Sequence, residues 1–587
     1  MADPVLQTHP HVLREYSLLA DGERGALVGP RGDVAWLCFP GWDGDPVFAS
    51  LLGAASRYAV HPAAPAVWGG YYEHGTLIWR SRWSCGGSIV ESREALAFPG
   101  DPRRAVLLRR IEPVRGPCRM AVALALRTEW GRRPLRLRRD GAGTWSGESG
   151  GVRVRWSGAG EARDGGEDLL LCLDLDEGDH HDLVLEIDRD PVEGPAPDPG
   201  QLWRATEAAW RAAVPAMRTA APRDARHAYA VLRGLTTAGG GMVACATTSL
   251  PERASEGRDY DYRYVWIRDQ CYAGEAAAAV GGWPLLDCAV RFTGERLLAD
   301  GPHLLPAYRG DGTPLPEDED VAALPGYPGA PEVHCGNNAG SQFQLDAFGE
   351  ALLLLATAAE HDRADGQAWR AARAAAEGIA RRWREPDAGV WELDQRLWAH
   401  SRLICVAGLR RIAAAPGAPQ DQVDAWRGLA GEMEGWALQH CVHPSGRWQR
   451  NPEDERVDAS LLLAAVRGAV PAQSPLSAAT VEAVRRELSR EHFVYRYRHH
   501  DRDLEEAEGA FLLCGFWMSL ASLQQGDVLG AVRWFERGRT ACGPPGLFSE
   551  EYDVRQRQLR GNLPQAFVHA LLMECAARLA PHAGEEL

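Results

Sequence analysis

The sequence predicts strands first and helices afterwards, in two domains. Three observations carry this. The 587 residues exceed what one hydrophobic core supports. From about residue 15 to about 190, short apolar runs alternate with Gly-rich turns. Beyond about residue 203, long Ala- and Leu-rich segments repeat with helical spacing almost to the C-terminus.

Each element has its own signal. "GALVGPRGDVAWLCFP" sets a Gly-rich turn between two apolar runs, and "LLLCLDLDEGDHHDLVLEID" alternates around Glu177-Gly178-Asp179 and reads as a hairpin. Its Asp174, Asp176, His180 and His181 read as outward-facing polar positions rather than metal ligands. "DRDPVEGPAPDPGQ", 188–201, is Pro-rich, acidic and aperiodic, a domain edge. The division expected is therefore a strand domain over 1–200, a linker helix over 201–221 and a helical domain over 222–587. Helices are expected at Leu345–His361, Gln367–Arg384, Val423–Gln439, Glu508–Gln524 and Gln565–Leu579. Helices of such number and similar length suit a toroid or solenoid of hairpins. The long loops between them, rich in Gly, Pro, Trp and Tyr, are where function is expected.

Composition narrows the partners. With 64 Lys and Arg against 80 Asp and Glu, the formal charge of -16 repels nucleic acid and anionic membranes, so neither is expected as a partner. The 21 Trp suit a polyol ligand, whose C–H faces stack on indole while its hydroxyls seek carboxylates and amides. Thirteen Cys with no CxxC pair and no His at metal spacing suggest buried thiols, no disulfide framework and no metal. "MADPVLQTHPHVLREY" lacks the pattern of a secretory leader and no apolar run is long enough to span a membrane, so a cytoplasmic location is expected.

Three loops carry the chemistry. "TTSLPERASEGRDYDYRYVWIRDQ", 247–270, is dense in aromatic, acidic and Arg residues. Arg268 beside Asp269 offers a donor fork next to an acceptor, which could grip vicinal sugar hydroxyls between Trp266 and Tyr walls such as Tyr264; an ion pair capping a helix near Asp269 fits as well. "EPDAGVWELDQRLWAHSRL" places Glu392 beside Trp391 after a Gly turn, and a carboxyl held against an indole is a usable acid near neutral pH. "GLFSEEYDVRQRQLRGNLPQAF" sets Glu550 and Glu551 ahead of a helix, where a charged pair could equally be a solvated helix start.

These segments, in this order, resemble the bacterial branch of glycoside hydrolase family 15, the inverting glucoamylase and trehalase-like enzymes. "ALVGPRGDVAWLCFPGWDGDPVFASLLG", "TTSLPE", "DYRYVWIRD", "GNNAGSQFQLDAFGE" and "GNLPQAF" extend the likeness over nearly the whole chain. The resemblance implies an N-terminal antiparallel β-sandwich and a C-terminal (α/α)6 barrel. It implies Glu392 as general acid, Glu550 as general base, Arg268 and Asp269 holding the non-reducing glucose, and Trp266 and Trp391 as walls. Gln342, with Gln344 and Asp346, falls in a matched motif, and Glu551 becomes a supporting residue.

Inversion needs an acid and a base on opposite faces of the sugar, roughly 6.5–9.5 Å apart, which adjacent Glu550 and Glu551 cannot supply together. Two carboxylates and water suffice, so no cofactor is expected. The departures are Asp394 where the family carries Arg, a shorter approach to His400 and Ser401, and "DYDYRYVW" in place of "NWDYRYCW". They bear on the choice of substrate. The leading expectation is a glucoamylase-type exo-acting α-glucoside hydrolase releasing β-glucose. The alternatives are an α,α-trehalase, an isomaltose or dextran α-1,6 glucohydrolase, and a carbohydrate-binding protein that has lost turnover. Assembly stays open between a single chain and a homo-oligomer.

Overall fold

The computed structural model describes residues 10–140, 143–192, 194–253, 258–330, 332–499 and 502–582. Strands Ser17–Ala20, Gly25–Val28, Val34–Phe39 and Asp45–Phe48 form an antiparallel meander joined by short turns. Every residue of Val34–Phe39 is buried, so its unbroken apolar run belongs to a strand covered on both faces.

Two larger antiparallel sheets follow. One has eight strands, with Ser88–Leu96, Arg104–Arg115 and His181–Asp188 neighbouring one another near its middle. The other has Cys118–Thr128 at its centre, flanked by Arg57–Pro62 and Leu169–Leu175. Side chains of both enter one core, among them Trp79, Val90 and Leu185 from the first and Tyr58, Val122 and Leu171 from the second.

The expected hairpin around Glu177-Gly178-Asp179 is absent. Leu169–Leu175 pairs with Cys118–Thr128, in register Leu171 to Val122, whereas His181–Asp188 pairs with Arg104–Arg115, in register Leu185 to Leu107. The turn carries the chain from one sheet to the other. Alternation reports which face of a strand is buried but not which strand it pairs with, and here both strands turn apolar faces to the shared core. Asp174, Asp176 and His180 are exposed and His181 is half-buried, as their polarity implied.

The helices are α1 (Pro199–Ala213), α2 (Pro222–Leu235), α3 (Ile267–Ala279), α4 (Trp283–Asp300), α5 (Asp346–Glu360), α6 (Gly366–Arg382), α7 (Ala399–Ala414), α8 (Gln420–His440), α9 (Leu463–Val466), α10 (Pro475–Glu487), α11 (Leu504–Ala507), α12 (Leu512–Gln524), α13 (Val528–Arg539) and α14 (Ala566–Leu579). Asp198 caps α1 by accepting from the Gly200 N–H, and Trp210 of α1 stacks on Phe98 of the strand half at 4.0 Å.

Helices α3, α5, α7, α9, α12 and α14 follow one another as neighbours, and α14 packs back on α3 to close a ring. Around them lie α2, α4, α6, α8, α10 and α13. The sequence sorts the two layers. Helix α5, "DAFGEALLLLATAAE", is buried on all sides apart from its last residue, while α8 buries only a stripe of Val423, Trp426, Ala430, Met433 and Ala437. A Cβ at Gly408 of α7 would meet the Gly349 carbonyl of α5 at 2.4 Å, so glycine permits that close approach.

Two boundaries differ from expectation by a turn or more: the linker helix expected to reach 221 ends at Ala213, and the start of α12 comes late. Helix α12 begins at Leu512, because Ala510–Phe511 is a short strand paired with Glu551–Asp553. Glu550 and Glu551 therefore stand at a strand, and the helix after them starts only at Ala566.

The first meander packs on the helical ring, so that Leu18, Leu27 and Trp36 share a core with Tyr229, Ile267 and Phe567. The Trp36 indole N–H donates to the Ala246 carbonyl at 2.8 Å. Fully buried Arg263 grips the Asp261 carboxylate at 2.8 and 2.6 Å, donates to the Gly44 carbonyl at 2.9 Å and lies over Trp36 and Trp130. Removing one partner of such a pair strands a buried charge, which costs about 3–5 kcal/mol, whereas replacing both is close to neutral. Arg263→Met is therefore expected to lose about that much stability in urea unfolding, and Arg263→Met with Asp261→Leu to recover most of it. A single variant within about 1 kcal/mol of the parent would refute the role given to this pair.

Candidate active site

A cavity of about 240 Å³ opens into the ring of helices, lined by residues of all three loops singled out in the sequence. Trp266, Arg268 and Asp269 reach it from the start of α3, Gln342 from the segment before α5, Trp391 and Glu392 from the turn before α7, and Glu550 from the strand before α14. Helix starts and strand ends on one side of the ring thus deliver the polar side chains.

The segment 261–269 is held rigidly. The Asp261 carboxylate receives the Arg263 side chain and backbone N–H, and the Asn337 side-chain amide donates to the Asp261 carbonyl at 3.0 Å. Val265–Trp266 pairs with Ala307–Tyr308 before the chain turns into α3. Arg268 donates to Gln344 at 2.9 Å and meets Asp346 at 3.3 Å, and Gln344 in turn donates to Gln342 at 3.0 Å. Asp269 is buried and its Oδ1 accepts no hydrogen bond among the described residues, leaving an acceptor beside the cavity. Burial above all, with the nearby Glu392 charge, pushes its carboxyl up to about 7 against the pull of Arg268. An Arg fork beside a bare buried acceptor is suited to adjacent hydroxyls.

Glu392 is set by a strained turn. Its φ of 55° lies in the left-handed region, where a glutamate is strained, and its N–H donates to the Gly389 carbonyl at 3.2 Å. The Gly389 N–H donates to Asp387 at 2.9 Å, and Asp387 also receives Ser401 at 2.8 Å and the Arg402 guanidinium. The indole that touches Glu392 is Trp266, whose N–H donates to Oε1 at 2.7 Å; Arg268 stands 3.6 Å from the same oxygen. Trp391 lines the cavity with its ring but donates its N–H to Asp458 at 2.8 Å. Asp394 is exposed and lies outside the cavity lining.

Two expected contacts differ. Tyr264 is buried beneath the wall with Ala244, Ala307 and Ala339 and does not line the cavity, where Tyr260, Tyr262, Tyr272 and Tyr497 do. Glu551 is also outside the lining: its carboxylate accepts from the Gly509 N–H at 2.8 Å and faces Arg496 at 3.5 Å. It supports the site through Arg496.

The sequence reading passed over Glu252 and Arg496, although both carried signals. Glu252 ends "TTSLPE", and Arg496 sits in "FVYRYRHH", a Tyr and Arg mixture like that of "DYDYRYVW". Arg496 lies over Phe511 at 4.6 Å, meets Glu508 at 2.6 Å and reaches towards Glu252 at 3.9 Å. Arg496 and His499 hold Glu508 down at about 2 against its burial. Glu252 and Glu550 both line the cavity, and the Tyr262 hydroxyl donates to Glu252 at 3.4 Å. Burial above all pushes both carboxyls up; the Glu252 charge adds to this at Glu550 and the Glu508 charge adds to it at Glu252, while Arg496 opposes it at both.

The sequence profile of Glycosyl hydrolases family 15 matches residues 225–577. The chain belongs to this family. It is a glycoside hydrolase, and a second profile, Trehalase-like, N-terminal, matches residues 5–150. The family 15 chain is 28% identical to the trehalase of Mycobacterium tuberculosis over 97% of its own length and 89% of the relative's. It is 27% identical to the trehalase of Mycolicibacterium smegmatis over 98% and 92%. Trehalase 1 of Sulfolobus acidocaldarius is 29% identical over 59% of this chain and 62% of that one. In fold it is similar to a bacterial glucoamylase complexed with acarbose, with a TM-score of 0.73 at 12% identity, covering 98% of this chain and 95% of the other.

The Glu252 and Glu550 pair gives this family 15 site a pH signature. The Glu252 charge adds to burial in holding the Glu550 carboxyl up, so a hydrolysis that needs ionised Glu550 loses rate as pH falls through that raised value. Glu252→Gln removes the neighbouring negative charge and supplies an amide donor, and both changes lower the Glu550 pKa. The acid limb of the kcat/KM profile is expected to move to lower pH in this variant; an unmoved limb, or a shift upward, would contradict the coupling.

Proposed function

We propose that the chain is an inverting α,α-trehalase with Glu392 as general acid and Glu550 as general base. The observation that carries the substrate is the likeness to trehalases over both halves of the chain, together with the trehalase-like profile on the N-terminal residues. Trehalose cleavage is therefore better supported than the glucoamylase-type activity that leads from the sequence alone. The helical ring would form an (α/α)6 barrel spanning 222–587. The strand half, 1–200, would form a β-sandwich, with α1, Pro199–Ala213, as the connecting helix.

The cavity suits a disaccharide in chemistry. One glucose would be held by Arg268 and Asp269, with Gln342 backing Gln344 behind them. The second would meet Arg258, Asp318, Tyr260 and Tyr497, whose polar groups line the outer wall. Trp266 and Trp391 would offer ring faces between them. Glu392, oriented by Trp266, would protonate the bridging oxygen; Glu550 would take a proton from the water that attacks the opposite face of C1.

An inverting trehalase gives a distinctive product pair. The glucose that is attacked leaves as the β-anomer, while the leaving glucose keeps its own bond and is released as the α-anomer. Proton NMR before mutarotation is expected to show equal α- and β-glucose from trehalose. Two α-glucose molecules would indicate retention and remove the two-role assignment. Glucose release from maltose exceeding that from trehalose would restore the glucoamylase-type reading.

The catalytic pair is tested by substitution. Glu392→Gln and Glu550→Gln are each expected to lower kcat by about 10²–10⁴, with KM little changed. The loss for Glu392→Gln should shrink on α-glucosyl fluoride, whose leaving group needs little protonation. Glu551→Gln is expected to cost less, because its carboxylate lies outside the cavity lining and bonds to Gly509 and Arg496. If Glu551→Gln proved the more damaging change, the base would move by one residue.

A further inference from the structure

Beside the cavity wall, and apart from the Glu392 and Glu550 pair, one cluster of side chains has a geometry that no proton explains. Asp259, Glu332 and His334 bring one ligand atom each to within 4.8 Å of one another. His334 Nε2 stands 3.8 Å from Asp259 Oδ1 and 4.0 Å from Glu332 Oε2, while Nδ1 on the other side of the ring lies 3.1 Å from Asp318 and 3.4 Å from Asp320.

The imidazole is fixed from behind. Its backbone N–H donates to the Ser249 hydroxyl at 2.8 Å, and its carbonyl accepts from Thr248 at 2.8 Å, both residues of the "TTSLPE" segment. The Asn338 side chain donates to Asp318 at 3.4 Å, steadying the carboxylate that accepts from Nδ1. With the proton on Nδ1 held by Asp318, Nε2 presents a lone pair towards two carboxylates. A carboxylate and imidazole relay of this kind is how proteins orient a histidine ligand.

A separate observation points to an occupant. The Asp259 side chain is 2% exposed, and its Oδ1, aimed at His334, accepts no hydrogen bond among the described residues. Glu332, Asp318 and Asp320 act on it as further negative charges, and the His334 imidazole acts against them. Gaps of 3.8 and 4.0 Å are too long for N–H···O bonds, which lie near 2.7–3.2 Å. A cation about 2.0–2.2 Å from each donor bridges up to about 4.2 Å.

We propose that Asp259, Glu332 and His334 bind a divalent transition-metal cation, with Asp318 orienting the imidazole from Nδ1. One imidazole nitrogen with carboxylate oxygens and no thiolate suits Mn²⁺ or Zn²⁺. Glu332 and His334 stand two residues apart but Asp259 lies far earlier in the chain, so spacing alone gives no three-ligand motif. Bound there, the cation ties the 258–262 segment, which carries Tyr260 and Tyr262, to the 318–338 segment, which carries Asp318 and Asn338. Both segments line the cavity. The ion would fix its outer wall and take no part in bond cleavage.

The test uses the full chain, stripped with EDTA and dialysed, titrated with Mn²⁺ and followed by electron paramagnetic resonance of the free ion and by calorimetry. One equivalent is expected to bind. Glu332→Gln, an exposed position that leaves the core untouched, and His334→Gln should each weaken binding at least tenfold. Asp318→Asn, which touches no metal, should weaken it about 10–100-fold through the ring orientation alone. Circular dichroism melting confirms that each variant is folded, and the parent is expected to melt higher with Mn²⁺ than without. Absence of binding by the parent to both Mn²⁺ and Zn²⁺ up to about 1 mM overturns the site. So does parental affinity in the folded Glu332→Gln and Asp318→Asn variants.

Discussion

The fully buried Arg263 guanidinium is the constraint on which the site depends. A buried charge must be matched and its donors filled, and Arg263 meets both demands with Asp261 two residues before it and with the Gly44 carbonyl of the first meander. That fixes the path of 261–269. Tyr262, Trp266, Arg268 and Asp269 line the cavity on the segment held between this anchor and the pairing of Val265–Trp266 with Ala307–Tyr308. Asn337 and Gly336 bond to Asp261 as well, so the segment leading to Gln342 and α5 is registered to the same anchor.

Some of the molecule's strain and unmet polarity lies where the chemistry is proposed. Glu392 sits at positive φ, and Asp269 and Glu550, which line the cavity, each keep a buried oxygen without a donor among the described residues. Each costs stability, and a polyol with many hydroxyls offsets that cost on binding. The ring of helices bears these costs through its well-packed interior, where α5 and α7 approach at Gly349 and Gly408.

Much of this was legible in the sequence. The change of period near residue 200, the helices and the three loops that meet at the cavity all follow from hydrophobic spacing and motif chemistry. What escaped was pairing over long distances. The strands around Glu177-Gly178-Asp179 alternate as a hairpin would, yet each has its partner elsewhere, because alternation encodes a face and not a neighbour. Tyr264 belongs by composition with the other Tyr residues of "DYDYRYVW", but the turn into α3 buries it under the wall. Glu252 and Arg496 were present in suggestive runs and gained meaning only once the fold set them beside Glu550.

The closed ring has a consequence for the order in which the protein can be made. Its last inner helix, α14, packs on its first, α3, nearly three hundred residues earlier, and the opening meander shares its core with both. A chain emerging from the ribosome N-terminus first therefore presents an unsealed crescent of inner helices, whose seam stays apolar until residue 579 is free. Strands made in the first moments of synthesis wait for partners made in the last, and such late, non-local closure is slow. Shortening the C-terminus by even the length of α14 would leave no smaller ring to fall back on.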